Sequence, residues 1–284
     1  MARTKLCLAV IMAVILGPWT HGGAAMAANV NPIVAFYDIF NDSKSTGYLL
    51  GGSAGGQWLK AEAAAGSISG GEQYRLYTLT GEVGASTGSK PAKGEDACVD
   101  TLYVTLTPFP TGRGSMVAVG GSWNAMPRAL KIGSTESRVY KEAAAEILRS
   151  EGIENPKVNL TQVIQVDLNG DGVEEVLVSA TNYAKSGSGG GMSPDARAGD
   201  YSLVFLRKVV QGKVVTRIIK GEYYPKAKKF NGPAEHRVIG VLDLNGDGIL
   251  EIVLSGRYYE GNWVDAYRVE GAQIIKLFGM GCGA

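Results

Sequence analysis

Two nine-residue segments of the sequence carry oxygen-bearing side chains at alternate positions. The first loop (residues 167–175) reads DLNGDGVEE, and the second loop (residues 243–251) reads DLNGDGILE. They share Asp, Asn, Asp, Gly and Glu at positions one, three, five, six and nine. Calcium binds roughly six to eight oxygen atoms, and a tight turn with acidic or amide groups at every second residue directs them to one point. The two loops therefore predict two Ca²⁺ sites.

Each predicted site combines four side chains with the backbone carbonyl group of the seventh residue, and the Gly at position six permits the turn that brings this carbonyl inward. Three carboxylates in each set favour calcium at extracellular concentrations, whereas magnesium requires a smaller octahedron. The alternative is a hairpin turn with solvated carboxylates and no metal. The predicted ligands are Asp167, Asn169, Asp171, Val173 and Glu175 in the first loop, and Asp243, Asn245, Asp247, Ile249 and Glu251 in the second.

The context of the loops separates them from EF-hands. An EF-hand has a bidentate Glu at position 12 and a helix on each side. Position 12 is here Val178 or Leu254, within the apolar segments EVLVSA and EIVLSG, which are typical of buried strands. The loops instead resemble those of the integrin-α-like FG-GAP and VCBS repeat family, which have the form DxDxDGxxD. The resemblance covers about residues 161–284.

The family resemblance implies a β-propeller architecture, in which each calcium loop joins two strands of a four-stranded blade. Only two copies of the loop occur in this chain. It therefore stays open whether the first half of the chain completes a ring of blades or forms a separate β domain. In either case the resemblance implies that calcium stiffens the scaffold and takes no part in a reaction.

Strand patterns flank both loops, as the predicted blades require. Short β-rich segments alternate with Gly, Asn, Ser and Pro clusters that supply turns. We expect two four-stranded antiparallel repeats, at about 161–224 and 237–284. The predicted strands of the repeats are Thr161–Val166, Glu175–Thr181, Tyr201–Val210, Lys213–Tyr224, Arg237–Leu242, Glu251–Tyr259, Asn262–Val269 and Gln273–Phe278. In the first half the predicted strands are Ile33–Ile39, Gly47–Leu59, Gln73–Val83, Val99–Thr107 and Met116–Gly120.

One helix interrupts this pattern. Apolar residues recur at helical spacing between Glu136 and Ser150, with Ser134 or Thr135 as predicted N-caps and Gly152 as the stop signal. The predicted fold is therefore mainly β, with propeller-like four-stranded antiparallel blades. The predicted domains are an N-terminal β region over residues 28–133, and residues 134–284, which hold the helix and both repeats.

The N-terminal residues predict export. Arg3 and Lys5 precede an apolar run, Leu6–Gly17, and a small-residue stretch that ends at Ala27. This is the pattern of a signal peptide (residues 1–27) with cleavage near Ala27. The run is shorter than the roughly 20 residues of a transmembrane helix, so we expect no stable membrane insertion. The mature protein is then periplasmic or secreted.

The overall charge excludes a general affinity for nucleic acid. The chain has 28 Lys and Arg residues against 27 Asp and Glu residues, and cleavage removes two of the basic residues. A near-neutral balance predicts no broad binding to polyanions or anionic membranes. We expect a protein or glycan partner instead, whose identity the sequence does not give. We expect the polar segment 183–200 to be a surface loop. The alternative is a loop that determines which ligand the protein binds.

Two cysteines remain after cleavage, and they predict an intramolecular disulfide. Cys98 and Cys282 lie far apart in the sequence, in a compartment where disulfides persist. A link across such a long loop contributes on the order of 5 kcal/mol in the chain-entropy model. The alternative is a pair of buried, unpaired thiols.

Catalytic motifs are weak in this sequence. Gly51–Gly55 matches the pattern G-x-S-x-G, which would make Ser53 a nucleophile with His236 as its base. Such a hydrolase needs strands that alternate with helices, and only one clear helix is present. We therefore expect an exported calcium-binding, propeller-like binding or structural protein and no catalytic residues. The alternative is a secreted hydrolase on a calcium-stabilised β scaffold.

Overall fold

The computed structural model describes residues 29–37, 45–109, 114–183 and 192–283 of the chain. The predicted signal peptide and its cleavage site near Ala27 lie outside these residues. The described chain is mainly β and forms several antiparallel sheets, which confirms the predicted fold class at that level. Within the described ranges, no helix combines the length and the apolar character that crossing a bilayer requires.

The first half of the chain forms the N-terminal sheet. Its strands follow one another in the order β3-β2-β1-β8-β4-β5-β7-β6, and β2 also pairs with β7. In chain order they are β1 (Asn31–Phe36), β2 (Thr46–Ala54), β3 (Gln57–Lys60), β4 (Gln73–Thr78), β5 (Gly81–Gly88), β6 (Ala92–Lys93), β7 (Leu102–Thr107) and β8 (Met116–Val119). Two short helical segments join them, α1 (Ala61–Ala65) and a 3₁₀ turn at Asp96–Cys98.

The predicted single strands Gly47–Leu59 and Gln73–Val83 are both wrong, because each contains a hairpin turn. Within Gln73–Val83, β4 ends at Thr78, which pairs with Gly81 at the start of β5. Strand β2 ends at Ala54, and Ala54 pairs with Gln57 at the start of β3. The two residues between them, Gly55 and Gly56, have φ of +55° and +78°. Two central residues with positive φ are typical of a type I′ turn, which the sequence Gly-Gly supports.

The second half of the chain forms two further sheets. Strands β10 to β13 make the five-stranded sheet, whose fifth strand is the short β9 at its edge, and β14 to β17 make the four-stranded sheet. The predicted four-strand runs in both repeats are therefore confirmed, whereas the domain limits stay a prediction. The strands are β9 (Lys131–Ile132), β10 (Leu160–Val166), β11 (Glu175–Thr181), β12 (Asp200–Val210), β13 (Lys213–Tyr224), β14 (Glu235–Leu242), β15 (Glu251–Arg257), β16 (Gly261–Glu270) and β17 (Gln273–Gly283).

The three sheets pack through their apolar faces. Successive side chains of a strand point to opposite faces, so a strand buried on both sides contributes to two cores. In β15, Ile252 and Leu254 face the five-stranded sheet, whereas Val253 faces the N-terminal sheet. The four-stranded sheet therefore lies between the other two. This packing explains why EIVLS is an unbroken buried run.

Helix α2 (Arg138–Ser150) covers the outer face of the five-stranded sheet. Ala144 and Leu148 are fully buried against it, as expected for residues one turn apart on one helix face. The helix begins slightly later than predicted, at Arg138, and its N-cap residue is Ser137. Its end is as predicted: Gly152 has a φ of +88°, which is typical of a C-terminal glycine.

The disulfide Cys98–Cys282 is present, which confirms the predicted pairing. The two Cα atoms are 5.0 Å apart, and the link joins the 3₁₀ turn to strand β17. Next to it, the hydroxyl group of Thr101 donates a hydrogen bond of 2.6 Å to the carbonyl oxygen of Gly281. The last strand is therefore fixed to the N-terminal sheet by a covalent bond and by a hydrogen bond.

We predict that replacing both cysteines with serine lowers the free energy of unfolding by about 2–5 kcal/mol, because the unfolded chain gains freedom over a long loop. Urea denaturation of the wild type and of the double variant measures the difference. A reducing agent should lower the stability of the wild type and leave the double variant unchanged. Equal stability of both proteins under oxidising conditions would contradict the prediction.

Candidate metal centres

Each acidic loop joins two neighbouring antiparallel strands. The first loop connects β10 to β11, and the second connects β14 to β15. The ninth residue of each loop is also the first residue of the following strand, where Glu175 pairs with Val166 and Glu251 pairs with Leu242. Sheet therefore lies on both sides of each loop, as predicted, and the helical flanks of an EF-hand are absent from this described region.

Asp167 organises the turn of the first loop. One of its carboxylate oxygens accepts hydrogen bonds from the N–H groups of Gly170 and Asp171, at 2.7 and 3.2 Å, and the other accepts from Gly172 at 2.9 Å. These N–H groups lie outside the sheet and need an acceptor. Gly170 and Gly172 have φ of +78° and +84°, a conformation that glycine adopts without strain.

The remaining side chains of the first loop are linked to the same turn. The amide group of Asn169 donates to Asp171 at 2.9 Å, and Asp171 also accepts from the N–H group of Val173 at 2.8 Å. The buried carboxylate of Glu175 accepts from the N–H group of Leu168 at 2.9 Å. Ligation by the carbonyl group of Val173 stays a prediction, as does ligation by that of Ile249 in the second loop.

The second loop repeats this hydrogen-bond network residue by residue. Its Asp243 accepts from three N–H groups, its Asn245 donates to Asp247, and the N–H group of Ile249 donates to Asp247. The bonds to Asp243 come from Gly246, Asp247 and Gly248, at 2.7, 3.1 and 2.9 Å. The bond from Leu244 to Glu251 is 2.9 Å long, as in the first loop. The sequence repeat is therefore also a repeat of geometry.

The acids of the loops differ in their tendency to ionise. The pKa of Asp171 is lowered by the hydrogen bonds from Asn169 and Val173. Burial raises the pKa of Asp247, but the hydrogen bonds that it accepts outweigh this effect and leave the pKa lowered. Burial raises the pKa of Glu251 to about 8. Burial therefore acts against the ionised form of Glu251 at neutral pH.

The ninth residue of each loop faces a basic side chain that the sequence analysis missed. Glu175 lies 3.3 Å from the Nζ atom of Lys208, and Glu251 lies 2.9 Å from the Nη1 atom of Arg268. Lys208 follows Arg207, which pairs with Val176, and Arg268 follows Tyr267, which pairs with Ile252. Val176 and Ile252 each come directly after the ninth-position Glu, so the two basic residues occupy the same register in the third strand of their repeats. Their spacing in the sequence is shorter than that of the loops, because the segment after β11 is longer than that after β15.

Arg128 links the two loops to each other. Its guanidinium group donates to the carbonyl oxygens of Asp167, Leu168 and Gly248, at 2.6, 3.1 and 2.7 Å. The N–H group of Leu250 also donates to the carbonyl oxygen of Leu168 at 2.8 Å. The two loops are therefore neighbours at one edge of the stacked sheets.

A second residue of the same connecting segment supports the second loop. The indole N–H of Trp123 donates to the carbonyl oxygen of Asp243 at 2.8 Å, and its ring packs against Gly246. The N–H group of Asp243 donates to the carbonyl oxygen of Ala125 at 2.8 Å. The segment between β8 and β9 therefore braces both loops, although no motif in its sequence indicates this role.

The donor chemistry of the first loop fits a hard dication. Asp167, Asn169 and Asp171 offer oxygen atoms, and the last two are exposed to solvent. Across the described ranges, no three His, Cys, Asp or Glu residues form a group placed to hold a metal ion. The structure thus brings together the first, third and fifth residues of each loop through hydrogen bonds. It pairs the ninth residue with a basic side chain, Lys208 in the first loop and Arg268 in the second.

The residues of the alternative catalytic hypothesis lie in different sheets. Ser53 is buried within β2, where it pairs with Trp58, and it does not lie at a turn between a strand and a helix. His236 lies in β14, and its Nε2 atom is 3.5 Å from Glu222. The predicted loop 183–200 is described only at its ends, because residues 184–191 lie outside the described ranges.

No family model, no characterised protein and no solved structure matches the chain. The resemblance to FG-GAP and VCBS repeats therefore depends on the two loops and on the strands that flank them.

We predict that Arg128→Ala lowers the free energy of unfolding by about 2–3 kcal/mol, because carbonyl groups of both loops lose a charged donor. Arg128→Lys should restore only part of the loss, since an ammonium group lacks the planar fork that reaches several acceptors. Urea titration measures both changes. Arg138→Ala is the control, because Arg138 forms an exposed ion pair on α2, and its loss should leave the urea midpoint nearly unchanged.

Proposed function

We propose that this chain is an exported calcium-binding protein in which two loops hold Ca²⁺ ions and thereby stiffen a propeller-like β scaffold. The observation that carries the proposal is the repeated geometry of the loops. Two segments that lie far apart in the sequence share their acidic residues, their positive-φ glycines and their hydrogen bonds. The side chains that shape each turn also carry the alternating oxygen atoms that calcium prefers.

The position of the loops supports a structural role for the metal. They lie side by side, and Arg128 and the bond between Leu250 and Leu168 connect them. An ion bound there would tie β10 to β11 and β14 to β15, at the edge where two sheets meet. A ligand that binds only the folded state stabilises it by mass action. The metal would thus contribute stability and no reaction step.

Three further features agree with the proposal. The N-terminal pattern is that of an export signal, and the disulfide Cys98–Cys282 suits an oxidising compartment. Two antiparallel runs of four strands packed face to face are the arrangement that neighbouring propeller blades would have. On this proposal the partner is a protein or a glycan outside the cytoplasm.

Calcium should raise the melting temperature of the mature protein by several degrees over its value in chelator, because saturation at about 100 times Kd contributes roughly 2.7 kcal/mol. Asp171→Ala should reduce the shift, and so should Asp247→Ala. Glu174→Ala is the matched control: it removes a loop carboxylate from the position that the loops do not share, and should keep the shift. Equal melting curves with calcium and with chelator would overturn the proposal.

The hydrolase alternative is tested with the same preparation. A panel of ester, glycoside and peptide substrates should show no turnover, because Ser53 is buried in a strand and His236 lies in another sheet. Turnover that Ser53→Ala abolishes would favour the alternative. Turnover that persists in this variant would point to an active site elsewhere in the chain.

A further inference from the structure

The second loop contains a positive charge of its own. The Nη1 atom of Arg268 lies 2.8 Å from Asp247 and 2.9 Å from Glu251, so one guanidinium nitrogen bridges two of the three carboxylates of the loop. The Nε atom of the same group lies 3.4 Å from Glu270. The side chain of Arg268 is only 12% exposed, and that of Glu251 is fully buried. This ion pair is therefore shielded from solvent, and charge interactions are stronger away from water than in it.

The first loop lacks such a bridge among the described residues. Lys208 occupies the equivalent place on β12, but its ammonium group pairs with Glu175, at 3.3 Å, and does not reach on to Asp171. Asp171 is exposed and accepts hydrogen bonds from the amide group of Asn169 and the N–H group of Val173, while the charge of Lys208 acts on it from a distance. The fifth-position carboxylate is thus open to a cation in the first loop and already bound to one in the second.

A dication and a guanidinium group compete for the same carboxylates. Arg268 contacts one oxygen of Asp247 and one of Glu251, and the other oxygen of each carboxylate accepts a backbone N–H. A calcium ion that binds either of the oxygens next to Arg268 therefore competes with its guanidinium group. Hydrogen bonds to charged groups are stronger than those between neutral groups, so losing them weakens metal binding by about tenfold or more. In the first loop the ion displaces at most one longer contact, that of Lys208.

We propose that Arg268 is the built-in counter-ion of the second loop, so that the two loops bind calcium with unequal affinity and the first loop fills first. This inference rests on the proposed function for its calcium part. Its other part concerns the metal-free protein: Arg268 balances two carboxylates of the second loop without any ion, whereas only one predicted ligand of the first loop, Glu175, has a described ion pair. Both parts can be measured.

Calorimetric titration with CaCl₂ tests the order of filling. The wild type should show two sites whose affinities differ by about tenfold or more. Asp171→Ala should lose the tighter site, and Asp247→Ala should lose the weaker one. Arg268→Gln should tighten the weaker site by about tenfold. Arg257→Gln is the matched control, because it removes an arginine ion pair with Glu235 in the same sheet, at the end of β15 opposite to the second loop.

Melting in chelator tests the metal-free role. Arg268→Gln should melt at a lower temperature than the wild type in EDTA, because Asp247 and buried Glu251 lose their cation. Calcium should recover this loss. Lys208→Gln should have a smaller effect in EDTA, since its contact is single and longer. The melting temperatures in EDTA do not depend on the calcium affinity of the first loop.

The outcomes separate the two proposals. Two equal sites in the wild type that Arg268→Gln leaves unchanged would overturn the inference and leave the proposed function standing. No calcium uptake by the wild type or by Arg268→Gln at millimolar concentration would overturn the proposed function. The melting curves in EDTA then decide on Arg268 alone: a lower melting temperature in Arg268→Gln supports its role as counter-ion, and an unchanged one rejects it.

Discussion

Strands β11 and β15 are buried on both faces, and this constraint limits where the carboxylates of these two strands can lie. Their side chains alternate between two cores, so a carboxylate has room only at the strand end, where the loop begins. The turn before each strand cannot use the sheet for its own N–H groups. The first Asp of the loop serves as their acceptor.

The three sheets meet where these loops lie, and the contacts there come from distant parts of the chain. The connecting segment with Trp123 and Arg128 leaves the N-terminal sheet and reaches the backbone of both loops before it enters β9. A conformational change in either loop therefore affects the contacts between the sheets as well as the loop's own hairpin. This arrangement gives a bound ion, or the guanidinium group of Arg268, an influence beyond its own turn.

The spacing of apolar residues and the positions of glycines predicted the elements that form from neighbouring residues. The alternation of apolar residues gave the strands of both repeats, and helical spacing with a terminal glycine gave α2. The cysteine pair followed from the count of cysteines and the predicted compartment. The Gly55-Gly56 turn within Gly47–Leu59 was the local signal that the strand prediction missed. Hydrogen bonds link the residues at positions one, three and five of each loop, whereas their role as metal ligands stays a prediction.

The basic partners of the loops could not be predicted in the same way. Lys208 and Arg268 reach the ninth-position Glu through strand pairing, and their spacing in the sequence differs from that of the loops, so a search at the loop period does not find them. Arg128 and Trp123 act through packing between sheets, which no short pattern reports. Charged residues that balance a buried carboxylate are found once the register of neighbouring strands is known.

The attachment of β17 to the N-terminal sheet has a consequence for synthesis. Phe278 of this last strand packs edge-on against Trp58, with ring centroids 5.5 Å apart, in a core that also holds Ile33 of the first strand. Contacts between the two ends of a chain are slow to form, because they close the longest loop. During synthesis this core therefore lacks one of its buried aromatic rings until β17 has left the ribosome.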